Sequence, residues 1–183
     1  MSQIKVNSII PVAGVASDSG SQLNGGGIIQ VRSIIKTNGF SVSASTGNFS
    51  DITDVSVSIT PTSNTSKILV QFQSSFSTGG DVNQRGSFRL LRDSTVINAA
   101  AADGQSTGQA IFPSLAVQQT SQAMPVSGCF LDNPATTNSI TYKLQVGAES
   151  SAGTVFVNAP GSGSTGTTHY KGVTNLIVME VSA

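Results

Sequence analysis

The segment GSGSTG, residues 161–166, carries glycines at 161, 163 and 166. That spacing cradles a dinucleotide pyrophosphate when a strand precedes it and a helix amino terminus follows. Here TTHYKGVTNLIVMEV follows, which reads as loop and then strand, so no nucleotide cofactor is expected. Serine, histidine and aspartate are all present, but His169 is the only histidine, it sits in the same Gly/Ser-rich stretch, and no GxSxG elbow surrounds any serine. Asp51 and Asp54 could suggest the carboxylate pair of a glycoside hydrolase. Strand alternation puts residues three apart on opposite faces, so capping of a turn at a strand entry is the better reading. Asp18, Asp81, Asp93, Asp103 and Asp132 read as turn aspartates that support their own backbone, and no calcium-loop spacing occurs. Cys129 is the only cysteine; with His169 it cannot complete a zinc site, and VSGCFLD reads as a strand with a small buried thiol. No catalytic, metal-binding or cofactor-binding residue is assigned.

RGSFRLLRDSTVI, residues 85–97, holds three arginines, and Arg89 and Arg92 are expected on a strand flank, paired with Asp93 or a neighbouring subunit. Nine basic and nine acidic side chains are scattered singly, giving zero formal charge, so no basic stripe exists to neutralise phosphates and nucleic acid is not an expected partner. No apolar run approaches the roughly 18 residues of a membrane span, and the first residues, MSQIKVNSIIPVAGV, contain no secretory h-region. Charged residues are 10% of the chain against a norm of about 25%, while 29 Ser and 18 Thr fill the gap. A neutral surface gives little repulsion between copies, which favours an assembled state.

The elements that would position these residues are strands. In 67–76, Ile68, Val70, Phe72, Ser74 and Phe76 alternate with Lys67, Gln71, Gln73 and Ser75, and only Leu69 breaks the polar side. Val55, Val57 and Ile59 alternate with Ser56, Ser58 and Thr60, and PTSNTS at 61–66 supplies the turn. Further strands are predicted at 28–36, 86–92, 94–98, 109–117, 125–131, 139–148, 153–159 and 173–182. About ten short strands with turn signals between them are the pattern of a sandwich, jelly roll or barrel in one domain, residues 26–183. Residues 1–25 read as a separate arm whose apolar anchors, Ile4, Val6, Ile9 and Ile10, would dock on a partner subunit or a larger assembly. PGSGSTGTTHYKG at 160–172 reads as a long surface loop.

The ordered segments VSITPTSNTSKILVQFQSSF, FRLLRDSTVI, GCFLDNPATTNSITYKLQV and TNLIVMEV resemble the β-rich domain of phage tail-fibre and virion-surface proteins, particularly those of phages of marine and freshwater bacteria, cyanophages included. The resemblance covers roughly residues 28–183, and MSQIKVNSIIPVAG is similar to the short attachment segments that begin such proteins. It implies an all-β, jelly-roll-like β-sandwich with an extended N-terminal arm, homotrimeric, made in the host bacterial cytoplasm and displayed on the virion. The absence of a shaft or repeats favours a non-enzymatic capsid decoration or cement protein, or a short head fibre, whose partners are its own copies and other virion proteins, the major capsid protein first. The alternative is a tail fibre or receptor-binding tip that contacts a host surface receptor through loops 78–86 and 160–172. Sugar sites favour aromatic platforms, however, and the chain offers no Trp and only Tyr142 and Tyr170.

Overall fold

A computed structural model of the chain describes residues 27–44, 48–79, 84–97, 99, 112–117, 123–148, 153–161 and 171–182. Its strands are β1 (Ile28–Lys36), β2 (Phe40–Ala44), β3 (Phe49–Ile59), β4 (Lys67–Gly79), β5 (Gln84–Arg92), β6 (Thr95–Ile97), β7 (Phe112–Val117), β8 (Met124–Asp132), β9 (Ile140–Ala148), β10 (Gly153–Val157) and β11 (Thr174–Val181). Nine of these match the predicted strands within a few residues, β3 begins six residues before the predicted Val55, and β2 is the addition. FSVSA is too short to show alternation by itself; its partner β10, bonded from Val157↔Phe40 to Gly153↔Ala44, makes it a strand.

The strands form two antiparallel sheets. In the first, β4 is central. β8 lies along one edge of β4 through Ile68–Phe76. β11 and β10 share the other edge end to end, through Lys67–Gln73 and Phe76–Gly79. β1 and β2 run end to end outside them, on β11 and β10 respectively. In the second sheet β9 lies between β3 and β5, while β6 and β7 divide the far edge of β5. Taking each end-to-end pair as one composite strand leaves four strands per sheet. Along the chain, consecutive composite strands change sheet at every step but one, which is the wrapping of a jelly roll.

The core between the sheets follows from alternation. Ile68, Val70, Phe72 and Phe76 of β4 and Leu176 and Val178 of β11 face Val55, Val57 and Ile59 of β3 and Tyr142, Leu144 and Val146 of β9, all at most 7% exposed. Phe76 and Phe88 meet edge to face across the sheets, with centroids 5.6 Å apart. In β3 the buried positions run 52, 55, 57, 59, and the shift of phase is a bulge between Asp51 and Ser56 with Asp54 at φ 64°. The bulge keeps Ile52 and Val55 both in the core. It also turns Asp51 and Asp54 both outward, which corrects the expectation of opposite faces and of turn capping.

The joint between β10 and β11 is closed by Asn158, fully buried and left-handed at φ 58°. Its backbone N–H donates to Ser75 O (3.0 Å), its Nδ2 donates to Lys36 O (3.0 Å), and its Oδ1 accepts from Thr174 Oγ1 (3.0 Å). One side chain thus replaces the ladder where both composite strands of this region break. Asn158→Ala removes two side-chain bonds, orphans a buried carbonyl and keeps the strained φ. A loss of about 2–4 kcal/mol is expected in urea denaturation.

Candidate assembly face

The residues singled out for chemistry are mostly built into the sandwich. Asp51 Oδ2 accepts from Lys143 Nζ (2.7 Å), and Gln145 Nε2 donates to its other oxygen, so Asp51 is a cross-strand partner within the second sheet. Asp54, 77% exposed at its side chain, lies 3.6 Å from buried Lys36 Nζ. Arg89 Nε donates to Gln145 Oε1 (2.6 Å) and its guanidinium stacks 4.3 Å from the Phe49 ring centroid. Arg92 binds Asp132. Asp93 closes the β5–β6 turn with its Oδ1 accepting from Thr141 N (2.9 Å). Asp93 thus supports a neighbouring strand and not its own backbone. No group of three or more His, Cys, Asp or Glu among the described residues is placed to hold a metal ion. Ile4, Val6, Ile9 and Ile10, the expected anchors, lie outside the described residues, as do His169 and Tyr170.

Asp132 is the largest departure from a turn aspartate. It ends β8 opposite Ile68, its carboxylate 6% exposed as a residue, and accepts from Arg92 Nη1 (2.8 and 3.0 Å) and from Tyr142 Oη (2.7 Å). Arg92 and Tyr142 belong to the second sheet, so this cluster clamps the β8 edge to it. Burial, and then the bond to Asp132, push the Tyr142 phenol well above its ordinary pKa. Fully buried, Tyr142 is no sugar platform.

A second clamp closes the opposite edge. Glu180 of β11 is fully buried, and its carboxylate accepts from Gln30 Nε2 (2.6 Å) and from both the N–H and the hydroxyl of Thr62 (2.7 Å each). Burial alone would raise its pKa; the donors from Gln30 and Thr62 outweigh that and hold it down to about 2.

What remains is the outer face of the β1–β11–β4–β8 sheet, turned away from the core. Register places Val31 beside Met179, Met179 beside Leu69, and Leu69 beside Leu131. Paired residues share a face, so these four form an apolar row across all four strands. Val31 and Leu131 are each 53% exposed, and Ile28 and Ile35 extend the patch along β1 at 59% and 60%. Beside the row, Gln71, Gln73, Ser127, Cys129, Asn175 and Ile177 line a shallow depression of about 410 Å³. Cys129 is exposed there, not buried as expected: β8 turns Val126 inward and Ser127 and Cys129 outward. Sequence reading treats Leu69 as an exception on a polar side, yet it is the middle of this row. The signal was the apolar content at both phases of GIIQVRSII and NLIVMEV.

No protein-family model matches the sequence, and no curated protein does. Among solved structures, the chain is similar to the Gx strain of infectious bursal disease virus, with 15% identity and a TM-score of 0.43 over 83% of this chain and 40% of that one. It is similar also to the T13 viral particle of the same virus (14% identity, TM-score 0.44, 83% and 37%). T=1 particles derived from that virus give 16% identity and a TM-score of 0.41, again over 83% and 37%. The chain thus spans about 40% of the length of the chains it matches. Superposition this loose says nothing of what the chain does, and the jelly roll stands on its own strand pairings.

Proposed function

We propose that this chain is a non-enzymatic bacteriophage virion protein, a homotrimer on the particle surface that decorates or cements the capsid or forms a short head fibre. The observation that carries the reading is the outward apolar row Val31–Met179–Leu69–Leu131 on a jelly roll whose other outward positions are mostly uncharged. Soluble monomers seldom leave such a patch open on a regular sheet, and its presence marks an interaction surface. The sequence resemblance to phage virion-surface domains supplies the kind of assembly, and the Ser/Thr-rich outward positions suit copies packed densely without mutual repulsion.

In this reading residues 1–25 bind the major capsid protein through Ile4, Val6, Ile9 and Ile10. Deleting residues 1–25 is expected to abolish binding to purified particles while circular dichroism of the sandwich is unchanged. Normal occupancy by the truncated protein overturns the anchoring role. Cryo-electron microscopy of particles separates head from tail: density over the head lattice supports decoration, whereas density confined to the tail replaces it with a fibre or receptor-binding role.

A further inference from the structure

We infer that copies of this chain pack against one another through the outer face of the β1–β11–β4–β8 sheet. The inference rests on the reading of the protein as a homo-oligomer and gives that oligomer its contact.

The first argument is how the sheet edges are protected. Exposed edges invite pairing with other chains, and proteins blunt them with bulges, charge, proline or brevity. The β3 edge has the bulge with Asp51 and Asp54 turned outward, β6 is three residues long, and β8 carries Pro125. β1 has nine residues, and among the described residues nothing pairs with its outer edge. Along it Ile28, Val31 and Ile35 are all more than half exposed. β1 is interrupted by a register shift between Ile28 and Gln30 and carries exposed Arg32, but from Val31 to Ile35 its unpaired edge borders the apolar face.

The second argument is size. Four strands about 4.8 Å apart and about nine residues long, at roughly 3.3 Å per residue, present about 20 by 30 Å. That is the scale of the roughly 800 Å² each partner contributes to a standard protein interface.

The third argument selects the occupant. Among the described residues the only charged side chain on this face is Lys67, so neither a polyanion nor a basic partner is recognised by charge. The amides of Gln71, Gln73 and Asn175 each donate and accept, which makes the face complementary to a copy of itself.

Cys129, the only cysteine in the chain and exposed on this face, reports whether the face is covered. The experiment measures the mass of the purified full-length protein by light scattering and the reaction of Cys129 with Ellman's reagent. It does so for the native chain, for Leu69→Arg and for Val31→Arg, whose site is 53% exposed and tolerates the change in the monomer. The native protein is expected to be oligomeric with Cys129 protected at least tenfold. Both variants are expected to be folded monomers whose thiol reacts at the rate of a free one. An oligomer that keeps its mass in both variants, or whose native Cys129 reacts freely, overturns this face and leaves the homotrimer to another surface. A monomeric native protein overturns both the face and the homotrimer, whereas recruitment to particles is judged separately by the arm deletion.

Discussion

Asp132→Ala is expected to destabilise the fold by about 3–5 kcal/mol, the cost of leaving the partners of a buried ion pair without their acceptor. For a chain of this length that corresponds to a fall of roughly 10 °C in the thermal midpoint. The size follows from what is left behind. Arg92 is 27% exposed at its side chain and points its Nη1 at both carboxylate oxygens, and Tyr142 is fully buried with its hydroxyl on the same carboxylate. Truncation removes three acceptor contacts at once and opens the seam between β8 and the second sheet. Removing Arg92 as well restores part of the loss, because the stranded charge then disappears. Thermal denaturation of the two single variants and the double variant measures this. An unchanged midpoint for Asp132→Ala would mean that the clamp contributes nothing.

The second large effect is a dependence on acid that Glu180 creates. Its pKa in the folded chain, about 2, lies below the ordinary 4.5, so the folded state prefers the ionised form. The resulting stability is fully present above pH 4.5 and is lost as pH falls toward 2. Its size is about 3 kcal/mol at most, from the linkage between pKa shift and folding. Glu180→Gln places an amide N–H₂ among the donors of Gln30 and Thr62. It therefore costs about 2–3 kcal/mol at pH 7. It also flattens the acid limb. Asp51 is held below its ordinary value too, but half exposed it contributes little once water screens it. Urea midpoints at pH 7 and pH 3 for both proteins decide the matter. If the native chain and the variant lose equal stability between these pH values, Glu180 is not the source of the acid sensitivity.

The strands were legible wherever alternation had room to show itself. β4 as far as Phe76 and all of β11 bury every second residue, and the sequence carries that pattern openly. The β3 bulge was not legible, because a left-handed aspartate leaves no local signature and only the phase change from Ile52 to Val55 betrays it. Asp132 and Asn158 were missed for a related reason. Aspartate and asparagine are the ordinary residues of turns, and only tertiary pairing across a hundred residues or more, or between sheets, gives them partners that override local chemistry. Cys129 was misplaced by one phase: its apolar character suggested the core, whereas Val126 fixes the register of β8 and turns Cys129 out. The outer face was visible only as excess. An antiparallel sheet with one wetted face needs apolar residues at one phase alone, so the second phase in β1 and β11 exceeds what the core between the sheets requires.

The pairing of β1 with β11 also sets a timetable for synthesis. Ile28–Lys36 leaves the ribosome long before Thr174–Val181 exists, with close to 140 residues still to be translated. At translation rates of about 5–20 residues per second, β1 waits on the order of ten seconds without its neighbour. Throughout that interval a nascent chain shows the isoleucines and valine of GIIQVRSII with no β11 ladder to hold them. The same delay keeps the four-strand face incomplete until β11 has been translated, so subunits cannot meet through it while still tethered to a ribosome short of that point.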